Sequence, residues 1–263
     1  MMIKQFFKDI KKYSKYISYS ARAQLKSEVA NSYLSWIWLF LEPICFMLIY
    51  TFLAVVVFNS RVEYFPIFVF IGITFWNFFS KTLTGSVRLV PANREIVTKV
   101  YVPKFIILLT KMCVNSVKFF ISFSLVIICM IIYQVPISFN VLYFIPIFIT
   151  LFVVTFGVST IFMHFGVFIK DLANITTIAL RLLFYASGVF FAIETRVPEP
   201  YNILIIILNP IAALITECRD VLLYCTPMNM TLIMSWLLIG ILIAYIGIRI
   251  IYKYENTYVK VMK

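Results

Sequence analysis

The chain has 263 residues, of which 63% are hydrophobic and 13% charged, a balance outside that of soluble globular domains and within that of polytopic membrane proteins. Its net charge of +12 would suit nucleic acid, but the basic residues cluster in loops beside apolar runs, where lipid headgroups and the orientation rule account for them; no nucleic-acid partner is expected. Five scattered cysteines, one histidine and no CxxC argue against a disulfide framework and a metal centre, so no bound cofactor is expected.

Ile3, Phe6, Phe7, Ile10, Tyr13 and Ile17 share one helical face, with Lys4, Lys8, Lys11, Lys12 and Lys15 opposite. This predicts an N-terminal amphipathic helix lying in the headgroup region. No apolar stretch or small-residue cleavage site follows at once, so the first span is expected to be retained. That span is read over residues 36–58, with Trp36 and Trp38 at the level of an aromatic belt. Glu42 lies beside Pro43 a turn or two inside, where a carboxylate must face protein or water. A loop with Arg61 and Glu63 leads to a second span over about 65–83.

A basic polar island, residues 91–104, comes next, bracketed by Pro91 and Pro103. Arg94, Glu95, Lys99 and Lys104 alternate with Ile96, Val97, Val100 and Tyr101 at near-helical spacing, so a short amphipathic helix in water on the cytoplasmic side is predicted. Its apolar face has no neighbours in its own stretch of chain and calls for a partner.

The third span, 105–133, is longer than the ~20 residues a bilayer needs. Lys104, Lys111 and Lys118 recur along it with Asn115 and Ser122 nearly in phase. The stripe reads either as a cationic face for an anionic substrate or neighbouring subunit, or as lysines snorkelling to the inner surface. After an uncharged loop, 134–140, a fourth span is read over 142–168, with His164 near its inner end as a hydrogen-bonded packing residue and not a proton relay. Lys170 and Asp171 form a polar turn, Asn174 is placed as the cap of a fifth span over 175–193, and Arg181 lies inside that span.

The pattern changes at 203–224. Two apolar pieces, 203–208 and 211–223, are separated by Asn209-Pro210, an N-cap followed by proline at the first helical position. Glu217, Arg219 and Asp220 are embedded in the second and read as polar anchors more readily than as a paired-carboxylate catalyst. A last span is read over 232–252. Six crossings put every lysine-rich segment in the cytoplasm, which makes 203–224 a re-entrant pair on the outer face between the fifth and sixth spans. The expected organisation is an all-α polytopic membrane protein: a cytoplasmic amphipathic region at 1–35, a transmembrane domain at 36–252 and a cytoplasmic tail at 253–263. There is no G-x-x-x-x-G-K-[ST] loop to cradle ATP, no G-x-S-x-G elbow and no H-E-x-x-H pair, so no enzymatic site is expected.

Several stretches resemble one family in order along the chain. Ser32-Tyr-Leu-Ser-Trp-Ile-Trp-Leu-Phe-Leu-Glu-Pro43 is similar to the start of the first span of bacterial ABC-type polysaccharide and polyol-phosphate exporter permeases, which carry O-antigen, teichoic acid or capsule. Gly72 with Trp76-Asn77-Phe78-Phe79, Asn93 with Lys99-Val100-Tyr101-Val102-Pro103-Lys104, and Phe168-Ile169-Lys170-Asp171 resemble its second span and two cytoplasmic loops. Val197-Pro198-Glu199, Leu208-Asn209-Pro210 and Cys218-Arg219-Asp220 resemble its outer segment, and Tyr254-Glu255-x-x-Tyr258 its tail. Ser35 stands where glycine is usual, and Lys170 where arginine is.

The resemblance implies a homodimer, paired with two copies of a separate nucleotide-binding subunit that would hold ATP and Mg. Asn93, Glu95, Lys99, Tyr101 and Pro103 would belong to the coupling helix that docks in the ATPase, with Lys170 and Asp171 as a second contact. The N-terminal helix would be a gate helix. Glu42, Lys118, Asn209, Pro210, Glu217, Arg219 and Asp220 are the channel and gate candidates. The substrate would be a glycan linked to polyprenyl pyrophosphate or another lipid, moved across the bacterial cytoplasmic (inner) membrane, with both termini cytoplasmic. A small-molecule or lipid exporter of the same fold, or a membrane enzyme acting on polyprenyl phosphate, are the alternatives.

Overall fold

The computed structural model describes residues 2–30, 35–57 and 62–262, and among these the chain is helical, with no strand. Ser32, Arg61 and the side chains of Ser35, Trp36 and Trp38 lie outside the described residues.

The bundle is built around α3 (Phe65–Val87), of whose apolar window 78% is buried, against 28% for α6 (Lys104–Ile132) and for α12 (Met230–Met262). A helix apolar on every side belongs at the centre. Its rings set the packing: Phe75 and Phe78 meet Phe119 of α6 at 5.4 and 5.8 Å, and Phe78 meets Phe148 of α7 (Phe144–Phe168) at 6.0 Å. Between helices in lipid there is no water to escape, so these dispersion contacts hold the bundle where hydrophobic transfer cannot. The outward stripes of α6 and α12, Ile127, Ile128 and Ile131 on one and Leu238, Ile241 and Leu242 on the other, stay exposed, as lipid-facing residues do.

Among the described residues four helices are long and apolar enough to cross a membrane: α3, α6, α12 and α7 with its 3-10 lead-in Phe139–Tyr143. A fifth is reached only if α10 (Tyr201–Leu208) and α11 (Pro210–Leu223), bent by 102° at Asn209, form one broken span. The break is local chemistry: Asn209 Oδ1 accepts from the backbone N–H of Ile211 and Ala212, and Pro210 opens the new helix. α2 (Ser35–Phe52), which continues as a π-helix at Leu53–Val57, and α8 (Leu172–Tyr185) fall short of spanning length in their described apolar parts.

Several expectations are corrected. The fifth span, read to residue 193, stops at Tyr185, and the chain turns through Gly188 at φ +60° before the short α9 (Ile193–Arg196). Its carbonyls are taken by distant side chains: Asn209 Nδ2 donates to Ala186 O and the Ser187 hydroxyl, and Arg219 donates to Gly188 O and Val189 O. Asn174 is not the cap of α8; Asp171 holds that position. The last helix runs on past the span read to Tyr252, so that the residues read as a tail are helical as far as Met262. The N-terminal helix, α1 (Met2–Ala30), packs on the bundle: the Phe6 ring meets that of Phe105 at 5.0 Å, tilted by 40°, and Glu28 at the far end pairs with Lys111 and Lys118 of α6. Ile3 and Phe7, expected on its apolar face, are exposed.

Candidate functional site

The ends of α3, α7 and α12 and the starts of α1 and α6 gather at the lysine-rich end of the bundle, where the polar island lies. It is two short helices, α4 (Leu89–Ala92) and α5 (Arg94–Lys99), followed by an extended stretch, and not one helix over 91–104. Asn93 makes the joint, its side chain donating to Leu89 O at 2.7 Å. Pro103 is the N-cap of α6 and disfavours helix in the residue before it, which keeps the chain extended from Val100.

One side of the island is anchored and the other is open. Val97, Val102, Pro103 and Lys104 are buried, whereas Glu95, Ile96, Lys99, Val100 and Tyr101 are exposed. Lys104, read from the sequence as part of a solvated island, is 2% exposed and pairs with Glu255 of α12 at 3.4 Å. Tyr101 donates to the other oxygen of Glu255 at 3.2 Å, and its backbone carbonyl accepts from Tyr13 of α1 at 3.1 Å. Partial burial first and the nearby carboxylate second push the Tyr101 phenol above its ordinary range, so it remains a donor. His164, as expected, is a buried packing residue, its Nδ1 2.8 Å from the Tyr258 hydroxyl. The result is a platform fixed through Tyr101 that leaves apolar Ile96, Val100 and the Tyr101 ring exposed together with Glu95 and Lys99.

Lys170 and Asp171 are exposed on the turn between α7 and α8. Gly166, one turn earlier, lies so close to the end of α3 that a Cβ there would come within 1.9 Å of Val87 O, which sets this turn beside the junction leading to α4.

The channel candidates fall into two groups. Glu42, paired with Lys81 at 3.4 Å and half-exposed, and Lys118, paired with Glu28, line one narrow cleft between α2, α3 and α6. The others lie towards the opposite end, where Asn140 Nδ2 donates to Cys225 O and ties the 134–140 loop to the end of α11. Asn209 is spent on capping and on the 186–187 turn. Glu217 accepts from Asn229 N at 2.7 Å. Arg219, 3% exposed, donates to Phe68 O, Gly188 O and Val189 O while its guanidinium lies 3.4 Å over the Phe68 ring. Pro210 fixes the first turn of α11. Asp220 alone of these five combines partial exposure with a place on a cavity of about 550 Å³, shared with Glu194, Arg196 and Tyr224.

A second cleft, about 370 Å³, between α2, α3 and α8, lined by Phe46, Tyr50, Trp76, Arg181 and Phe184, is not signalled by any motif in the sequence. It also did not single out Asp9 or Glu28, the acids that tie α1 down. A signal was present: acids are only eleven in the chain, Asp9 stands among Lys8, Lys11 and Lys12, and Glu28 follows Lys26.

No protein-family model matches the chain. An O-antigen export system permease protein RfbA of Klebsiella pneumoniae is 26% identical over 239 residues, covering 90% of this chain and 91% of that protein. A protein of the same name from Myxococcus xanthus is 27% identical over 198 residues, covering 75% and 76%. The resemblance read from the motif series is therefore shown by its relatives: over nine tenths of its length the chain is similar to a permease protein of an O-antigen export system.

Proposed function

We propose that the chain is the membrane permease subunit of an ATP-binding-cassette exporter, moving a lipid-linked polysaccharide of the O-antigen kind across the bacterial inner membrane. Capsule and teichoic-acid chains belong to the same class of substrate. The observation that carries the reading is the platform at 94–101, anchored through Tyr101 to α1 and α12 on one side and apolar and open on the other, in a chain without an ATP-cradling loop. The relatives' names supply the direction of transport.

In this reading Asn93, Glu95, Lys99, Tyr101 and Pro103 shape the surface on which a separate ATPase docks, and Lys170-Asp171 gives a second contact. ATP and Mg are held by that partner. Two copies of each subunit form the exporter, and α2 and α8 serve as shorter spans that complete six crossings with both termini in the cytoplasm. The α2–α3–α8 cleft offers aromatic faces to sugars and the Arg181 guanidinium to a phosphate.

Purification of the tagged chain in mild detergent, followed by an ATPase assay, tests this. A roughly equimolar ATP-binding-cassette subunit is expected, and Tyr101→Asp, which sets a second carboxylate beside Glu255, is expected to abolish export. A chain that purifies with no ATPase, or export that persists when the platform binds none, overturns the reading.

A further inference from the structure

Three elements distant in sequence meet over the last turns of α12. Tyr252, Glu255 and Tyr258 recur every three residues and so share one face of that helix. Each is committed to a different partner. Glu255, 7% exposed, accepts from Tyr101 at 3.2 Å and from Lys104 at 3.4 Å, so one carboxylate spans the extended stretch between α5 and α6. Tyr252 donates to Asp9 of α1 at 2.6 Å. Tyr258, fully buried, meets His164 Nδ1 and pins the same face to α7. The bond from Tyr13 to the Tyr101 carbonyl closes the ring between α1 and the platform.

Residues 101–103 are extended between the end of α5 and the start of α6, and the bonds to Glu255 and from Tyr13 hold Tyr101 in place. A displacement of α5 therefore pulls on Glu255, and the stiff helix that carries Glu255 also carries Tyr252, the grip on α1. Hydrogen bonds and ion pairs between side chains can exchange partners in discrete steps, which is what an element with two arrangements requires. We infer that the end of α12 is a relay between the platform and the N-terminal helix, with Glu255 and Tyr252 as its positioning residues. The inference rests on the reading that an ATPase docks on residues 94–101.

The test uses the complete exporter in liposomes, with Tyr101→Phe and Tyr252→Phe made singly. Each removes one hydroxyl and leaves the ring and the Lys104–Glu255 pair intact. Three quantities are read: ATP hydrolysis, export of the lipid-linked glycan, and the distance between labels at Lys15 on α1 and Phe165 on α7, with and without ATP. The unaltered exporter is expected to show an ATP-dependent change in that distance. Tyr252→Phe, which lies outside the docking surface, is expected to keep hydrolysis within about twofold, and both variants are expected to lose the distance change and export about tenfold less, a coupling loss of ordinary size for linked sites. Variants that export and move α1 like the unaltered chain overturn the relay while the functional reading stands. A joint fall of hydrolysis, export and melting temperature reduces the contacts to a structural role and also overturns it. An unaltered chain that recruits no ATPase removes the functional reading, and the relay with it.

Discussion

Lys104 at the lysine-rich end of the bundle and Arg219 at the other are both almost wholly buried, at 2% and 3% exposure, yet they are satisfied in opposite ways. Lys104 is neutralised by the carboxylate of Glu255, a side chain on another helix. Arg219 has no salt-bridge partner among the described residues; its guanidinium is consumed by three backbone carbonyls and a ring face. A planar fork with donors fixed in direction suits carbonyls at three points, which a lysine could not reach together. The first arrangement joins two elements that can part and rejoin. The second fastens α11 to the start of α3 and to the 186–189 turn, where the backbone has no ladder of its own.

That contrast can be broken from either side. The largest effect is expected from Arg219→Ala, which takes the side-chain donor away from three buried carbonyls and leaves a void over Phe68; a loss of about 3 kcal/mol or more should appear as poor accumulation and a lowered midpoint of thermal unfolding in detergent. Arg219→Lys should recover little of it. Glu255→Ala strands the Lys104 ammonium and should cost about 3–5 kcal/mol, but here the double variant Lys104→Met with Glu255→Met should restore most of the unfolding midpoint. Rescue of the pair, set against failure to rescue Arg219 by any single partner, would confirm that one end is held by exchangeable side chains and the other by backbone. Asn209→Ala removes a helix cap together with its bonds to Ala186 and Ser187, and about 1–2 kcal/mol is expected in the same measurement. Glu42→Gln, at a half-exposed pair with Lys81, should shift the midpoint by less than about 1 kcal/mol.

The sequence disclosed what is chemically local and hid what depends on distant chain. Asn209-Pro210 announces the start of α11 because cap and proline act within one turn. The ends of the α3, α6 and α7 spans were legible for a similar reason, since the apolar runs stop at polar turns. The fifth span was overrun because Gly188 to Ile193 is as apolar as a span interior, and nothing nearby shows that Asn209 and Arg219 will claim its carbonyls. Lys104 reads as solvated among Arg94, Lys99 and Pro103, yet α12, more than a hundred residues later, lies across it. The stretch 253–263 reads only as a cytoplasmic tail, because Lys253, Glu255 and Lys260 are polar; the face formed by Tyr252, Glu255 and Tyr258 acquires meaning only once α1 and the island are beside it. The exposure of Glu95 and Lys99 was legible from their polar, proline-bracketed stretch, while the anchors of that stretch were not.

Glu28 faces two cations at once, Lys111 at 3.8 Å and Lys118 at hydrogen-bonding distance. With α1 seated, the three groups carry a net charge of +1; with α1 lifted away, two ammonium groups remain without their shared counter-ion. Withdrawal of a single helix thus doubles the positive charge of that patch without moving either lysine or binding any ion. In the weakly screened surroundings of a bilayer such a step changes the local potential sharply. The seating of α1 therefore sets how strongly this side of α6 attracts a negatively charged headgroup.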